Sequence, residues 1–245
     1  MSDQADRKVA LVTGANKGIG FEVARQLARD HGMTVVIAAR DDARGREAAD
    51  KLVADGLDAR AVVLDVTDPT TAEAAVRQVE EWFGRLDVLV NNAGIALDRV
   101  PPSQIGLDVL RQTYETNVFG VFNVTAAMLP LLKKSAAPRI VNVSSGLGSL
   151  AQNSDPDWEF AAIKPLAYNS SKAALNMMTV VFAAELKDSS IKVNAVDPGY
   201  TATDMNGHQG TQTVAQGATA AVRMATLADD GPTGGFFNEA GVVPW

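Results

Sequence analysis

Short runs of β-branched and aliphatic residues recur along the chain, each followed by a longer stretch with apolar positions at helical spacing. Lys8–Thr13, Met33–Ala39, Arg60–Leu64, Leu86–Val90, Arg139–Ser144 and Lys192–Val196 read as strands, with a short last one at Gly234–Asn238. Helices are predicted over Gly18–Asp30, then up to about Asp55, and over Thr70–Phe83, Leu107–Lys134, Tyr168–Lys187 and Val214–Leu227. The strands are apolar at successive positions, the pattern of strands covered on both faces. Alternating them with helices of this length predicts an α/β fold: a doubly wound, Rossmann-type parallel sheet of about seven strands with helices on both faces. No linker, repeat or low-complexity tract interrupts the pattern, so residues 1–245 read as a single domain. Two segments stand outside the alternation, Gly146–Pro165 and Thr201–Gly217. Both follow strands at the carboxyl edge, where open α/β sheets bind ligands, and both are expected to cover that edge.

Composition narrows the picture by exclusion. A chain of 245 residues, 47% hydrophobic and 21% charged, buries a sizeable core without crosslinks. Its net charge of −7 opposes contact with nucleic acid or an anionic membrane. The chain has no cysteine, which excludes a thiol nucleophile, a thiolate metal site and a disulfide framework. The two histidines, His31 and His208, are far apart and read as surface or loop residues, so no metal site is expected. Met1 to Lys8 lacks the apolar stretch of a signal peptide, and no apolar run is long enough to span a bilayer. Cytoplasm is the default expectation.

The first strand runs into Thr13-Gly14-Ala15-Asn16-Lys17-Gly18-Ile19-Gly20 and then a helix. Glycines here let the backbone turn tightly and approach a pyrophosphate, and the helix N-terminus supplies unpaired N–H groups for it. The spacing is Gly-x-x-x-Gly-x-Gly rather than the common dinucleotide fingerprint. The second strand ends Ala38-Ala39-Arg40, with no carboxylate to bind a ribose diol. The Arg40 fork suits a 2′-phosphate, and Lys17 is placed to add a second cation. Asp41 and Asp42 follow directly and leave two alternatives open: an ion pair with Arg40, or Asp41 turned inward to a ribose diol. Asp65, ending the third strand, suits either an adenine amino group or a turn cap.

Tyr168 and Lys172 stand four apart in a predicted helix, on one face. A phenol with a pKa of about 10 is a poor base at neutral pH, and a nearby ammonium and an oxidised nicotinamide favour its phenolate, pulling the pKa toward the working range. The fifth strand ends in Ser144-Ser145 at the carboxyl edge, where a serine suits a substrate oxygen beside the tyrosine. Neighbouring strand residues face opposite ways, so Ser145 is assigned to substrate and Ser144 to bonding beneath the edge. Asn117 falls inside the long predicted helix, where a buried amide needs partners and suits the anchoring of a relay water. Asn91-Asn92-Ala93-Gly94 ends the fourth strand and suits a cofactor floor. Asp197-Pro198-Gly199 closes the next edge, followed by Tyr200-Thr201-Ala202-Thr203-Asp204, and Trp158 suits equally a pocket wall or a surface packing anchor.

In this order and over most of the chain, the elements Thr13-Gly14…Gly18…Gly20, Asn91-Asn92-Ala93-Gly94, Asn117, Ser145, Tyr168…Lys172 and Pro198-Gly199 resemble the short-chain dehydrogenase/reductase family. The glycine loop resembles that of its carbonyl-reductase-like subgroup, which generally favours NADPH over NADH. The resemblance implies strand order 3-2-1-4-5-6-7. It implies Tyr168 as acid/base, Ser145 as holder of the substrate oxygen, Lys172 as pKa modifier and ribose ligand, and Asn117 as relay anchor. The implied cofactor-binding set is Gly14, Asn16, Lys17, Gly18, Ile19, Gly20, Arg40, Asp65, Val66, Asn91, Ala93, Gly94, Tyr168, Lys172, Pro198, Gly199, Thr201 and Thr203, with Thr203 at the nicotinamide carboxamide. The stretch from Ser145 to Tyr168 is longer than the family's commonest spacing. Insertions there block the usual oligomer interface in some members, which leaves monomer, dimer and tetramer open.

The expected activity is NADPH-dependent reduction of a ketone, aldehyde or quinone-like carbonyl, reversible as alcohol dehydrogenation. An NAD-linked dehydrogenase of a sterol, sugar or hydroxyacyl compound is the alternative among enzymes. A nucleotide-sensing or scaffold protein is the alternative outside catalysis, and the complete Asn, Ser, Tyr and Lys set argues against it.

Overall fold

The computed structural model describes residues 7–245, so most of the polar opening, Met1 to Asp6, lies outside the described residues. The elements are β1 (Val9–Thr13), α1 (Gly18–His31), β2 (Thr34–Ala39), α2 (Asp42–Ala54), β3 (Ala59–Val63), α3 (Pro69–Phe83) and β4 (Val88–Asn91). They continue with α4 (Leu107–Tyr114), α5 (Gly120–Leu132), β5 (Arg139–Val143), α6 (Leu150–Ser154), α7 (Leu166–Glu185), β6 (Lys192–Val196), α8 (Val214–Ala225), β7 (Phe236–Asn238) and β8 (Gly241–Val242). Every residue of β1, β2, β4 and β5 is buried, as their largely apolar sequences favour, with Thr13, Thr34, Asn91, Arg139 and Asn142 the polar exceptions.

Successive strand residues feed two separate apolar layers. Ala10, Val12, Val35, Ile37 and Val90 pack with α1, α2 and α8 through Val23, Leu27, Leu52 and Met224. Leu11, Val36, Leu89, Ile140 and Val193 pack on the other face with α3, α5 and α7 through Val79, Val124, Met128 and Ala183. The strand order is β3-β2-β1-β4-β5-β6-β7-β8. All neighbours are parallel except β7 and β8, where Phe237 stands opposite Val242 in an antiparallel pair. The order of the first seven agrees with the expectation; the eighth strand does not appear in the sequence pattern. It has two residues, one of them the exposed Val242, too little to show periodicity.

The single helix expected over Leu107–Lys134 is divided. Between α4 and α5 lies a π-helical turn, Glu115–Phe119, in which the Gly120 N–H bonds to Glu115 O. Two contacts account for it. The Asn117 side chain is drawn to the backbone of Ile95, and the Gly120 α-carbon packs so close to Val66 that a methyl there would meet Val66 Cγ2 at 2.7 Å. The excursion after β5, expected to be irregular, contains α6.

Leu89, in the middle of the sheet, has no solvent exposure. Leu89→Ala is expected to lower unfolding free energy by about 2–5 kcal/mol in urea titration, from lost transfer energy and the cavity left behind. A loss below about 1 kcal/mol would contradict a close-packed layer at this position.

Candidate active site

The glycine loop is held against β4 rather than by its own residues. Thr13 Oγ1 accepts from the backbone N–H groups of Asn92 and Ala93 at 2.9 and 3.0 Å. The Asn92 amide donates back to Thr13 O at 2.9 Å. Gly14 takes φ +62°, and a side chain there would meet the Ala93 backbone at 3.1 Å, so only glycine fits. Asn16, Gly18 and Ile19 are half-buried around the mouth of α1, with Gly20 buried behind them. The N-cap of α1, Lys17, provides no side-chain hydrogen bond, whereas α2 and α3 are capped by Asp41 and Asp68. The α1 N–H groups thus stay available for an anion. These features fit the pyrophosphate of a dinucleotide.

At the adenosine end, Arg40 is exposed, and no hydrogen bond or ion pair engages it among the described residues. Its acidic neighbours are engaged within α2. Asp41 accepts from Arg44 N at 3.0 Å as the cap of α2, and Asp42 pairs with Arg46 at 2.8 Å. Neither competes for Arg40. The Lys17 ammonium pairs with Asp204 at 2.5 Å, and the other Asp204 oxygen lies 2.9 Å from His208 Nε2. Asp65 Oδ1 caps a turn, accepting from the Thr67 N–H and hydroxyl. Val66 is buried, with its carbonyl on Asn123.

The floor of the cleft is the end of β4. Asn91 braces the sheet, donating to Thr125 Oγ1 and Asn142 Oδ1. Gly94 lies over the lysine: a methyl there would be 3.5 Å from Lys172 Nζ. Across the cleft, the Thr203 methyl lies 3.9 Å from a Cβ built on Gly18, so the segment after β6 reaches the glycine loop. Pro198 and Gly199 turn that segment out of the sheet, Gly199 at φ +70°. Thr201 is buried, its hydroxyl on Pro198 O and its side chain against Gly217.

At the chemical end, Tyr168 is half-buried in the first turn of α7 and hydrogen-bonded to the Ser145 side chain. Ser144 points the other way, donating to Asn176 Oδ1 at 2.6 Å beneath the strand edge. Lys172 is only 4% exposed and donates to Val143 O at 2.7 Å, its ammonium 5.7 Å from the Tyr168 ring centre. An ammonium has three donors, so this one keeps donors beyond the bond to Val143 O. Asn117 has no exposure; its amide spans Ile95 N, Ile95 O and Ser171 Oγ at 2.9, 2.9 and 3.0 Å. Trp158 sits beside the catalytic edge, 3.3 Å from a Cβ built on Gly146, and packs edge-on to Phe160 at 5.5 Å.

Without cofactor, the electrostatics of the site run opposite to the lowering expected with lysine and oxidised nicotinamide together. Burial pushes the Tyr168 pKa up to about 12, against the opposing Ser145 hydrogen bond, and the Asp197 charge pushes the same way. Burial takes Lys172 down to about 8. Asp197, whose own carboxyl is raised by burial, was not singled out as a site residue from the sequence. Asp98 was missed altogether: its carboxylate accepts from Ala167 N at 2.7 Å and Tyr168 N at 3.2 Å.

Cradle, floor, tyrosine, lysine and serine thus meet along one sheet edge. The profile of the short chain dehydrogenases matches residues 8–213, and the chain belongs to that family. Its relatives are more particular. The chain is 39% identical to short-chain dehydrogenase anuI of Penicillium roqueforti, over 90% of this chain and 89% of that protein. It is 34% identical to carbonyl reductase (NADPH) 1 of Rattus norvegicus, over 98% of this chain and 99% of that one. The structure of NADPH-bound carbonyl reductase from chicken fatty liver matches with a TM-score of 0.84 at 31% identity, covering 98% of this chain and 99% of that one. Salutaridine reductase from Papaver somniferum matches at 0.82 and 32%, covering 95% of this chain and all of that one. The protein is an NAD(P)-dependent oxidoreductase acting on carbonyl and alcohol groups. No helix among the described residues is long and apolar enough to cross a membrane.

Ultraviolet difference titration of the native chain against Tyr168→Phe should place the Tyr168 ionisation at about 12 without cofactor. The unfolded chain releases this proton first, so the stabilisation from this group is full below pH 10 and is lost as pH rises through about 12. An ionisation below pH 10 would contradict control by burial.

Proposed function

We propose that this enzyme reduces a ketone, aldehyde or quinone-like carbonyl with NADPH, and that it also runs in reverse as an alcohol dehydrogenase. The observation that carries this reading is Tyr168, hydrogen-bonded to Ser145, with the buried Lys172 ammonium beneath it. A phenol held protonated by its surroundings is suited to give its proton to a carbonyl oxygen as negative charge develops there. Ser145 donates to the same oxygen and fixes its position. When bound, NADPH supplies the hydride.

The chain's own residues do the rest. The open α1 N-terminus and Gly14–Gly20 hold the pyrophosphate, Lys172 orients the ribose, and Thr203 meets the carboxamide. The Asn117 amide donates both of its N–H groups and accepts from Ile95 N, so a relay water would rest on the second lone pair of its Oδ1 or on a main-chain carbonyl. The adjoining π-helical turn disrupts the regular bonding that would otherwise occupy such a carbonyl.

The free Arg40 fork, with Asp41 withdrawn to cap α2, supports NADPH over NADH. Lys17 contributes instead by holding the segment after β6 through Asp204. The NADPH-bound state of the chicken carbonyl reductase points the same way. Exposed Phe119, Phe122, Met177 and Val181 on the outer faces around α5 and α7 support assembly into a homo-oligomer.

A carbonyl panel run with both cofactors tests the reading. kcat/KM with NADPH is expected to exceed that with NADH by about tenfold or more, within the reach of one charge-assisted hydrogen bond. That gap should shrink at high salt. Arg40→Asp should lower NADPH efficiency and leave NADH unchanged or improved; equal native efficiencies would sink the NADPH assignment. Tyr168→Phe should keep NADPH binding and lose about 10²–10⁴-fold in turnover. Retention of more than half the native rate would remove Tyr168 as proton donor.

A further inference from the structure

The proposed proton donor occupies an awkward place in its helix. Tyr168 is the third residue of α7, in the first turn, where N–H groups lack intrahelical partners and helices fray. The residue before the helix is Pro165, which has no side-chain acceptor to cap it, and the first turn contains no acidic residue. The chain arrives at this point from the excursion that begins at Gly146, so no short connection to β5 fixes the start of the helix.

A carboxylate from a distant segment does the capping. Asp98 lies in the loop after β4, is 8% exposed, and accepts from Ala167 N at 2.7 Å and Tyr168 N at 3.2 Å. One oxygen goes to each N–H. No ion pair engages this carboxylate among the described residues; its partners are the helix N–H groups, whose partial positive charge suits an anion. The same loop is clamped a few residues earlier, where Asn117 holds both Ile95 N and Ile95 O and donates to Ser171 Oγ on α7. The cofactor floor at Gly94 and the catalytic turn are thus joined twice, through Asn117–Ser171 and through Asp98.

We propose that Asp98 is a positioning residue for proton transfer, setting the Tyr168 phenol over the substrate oxygen by fixing the first turn of α7. This rests on the reading of Tyr168 as proton donor. Asp98 touches neither substrate nor cofactor in this role. Its removal loosens the phenol while leaving Lys172, held by Val143 O one turn further on, in place.

The test is a double-mutant cycle read in kcat, with NADPH affinity measured separately by fluorescence titration. Asp98→Ala is expected to lower kcat by about 10²-fold, the scale of a misplacement near 1 Å, with NADPH Kd changed by less than about threefold. Asp98→Asn retains one acceptor oxygen and should recover part of that loss. In a Tyr168→Phe background, Asp98→Ala should cost less than about threefold, because the group it positions is gone. A merely structural role would weaken NADPH binding and cost the same in both backgrounds.

Equal kcat losses in the two backgrounds, or full kcat in Asp98→Ala, would overturn the role of Asp98 alone. Should Asp98→Ala fail to bind NADPH, Asp98→Asn decides: native kcat, or equal losses in both backgrounds, overturns the proposal. A Tyr168→Phe variant that keeps more than half the native rate overturns the proton-donor reading itself, and this proposal with it.

Discussion

The bond from the Lys172 ammonium to Val143 O, 2.7 Å long and shut away from solvent, ties α7 to the carboxyl end of β5. An ammonium in such a place would be expelled or neutralised unless something compensates for lost water. One carbonyl compensates in part, and burial still brings the pKa down to about 8. The lysine nonetheless retains much of its charge at neutral pH. That charge sits below a phenol that burial keeps protonated, a pairing suited to releasing the phenolic proton once a carbonyl is present to take it. Close packing supports the tie: a Cβ on Gly148 would meet Lys172 Cβ at 2.7 Å, so the loop after β5 approaches α7 only because that residue is glycine.

The cofactor end is organised by contacts between segments far apart in the chain. The glycine loop is bound to the end of β4 through Thr13 and Asn92. The segment after β6 meets it from the opposite side, with Thr203 over Gly18 and Asp204 on Lys17. The Lys17–Asp204 pair is exposed, and such pairs contribute little to stability. Its consequence is geometric, since it draws the two sides of the cleft together beside the open α1 N-terminus.

Much of this was legible in the sequence. Buried strands announced themselves as continuous apolar runs, and the glycine spacing located the α1 mouth. Arg40 without a preceding carboxylate stood out, although only the structure shows Asp41 committed to capping α2. Features decided by tertiary contact were not legible. Glu115–Phe119 keeps helical periodicity, and its π-helical turn follows from Asn117 reaching Ile95 and Gly120 meeting Val66. Asp98 lies 69 and 70 positions from the N–H groups it caps, so no local motif marks it. Lys17 reads as a free cation until its partner, 187 positions away, is seen. The direction of the Tyr168 shift was likewise hidden, because spacing reveals the lysine and not the depth of burial.

The central claim is that Tyr168 gives its proton in carbonyl reduction and takes one back in alcohol oxidation. The pH dependence of kcat in both directions, measured on one carbonyl–alcohol pair, tests it most directly. Reduction should hold steady through neutral pH and fall in the alkaline range as the phenol ionises, while oxidation should rise with pH. Both dependences should vanish in Tyr168→Phe. A common slope in the two directions, or slopes that survive that substitution, would contradict the account.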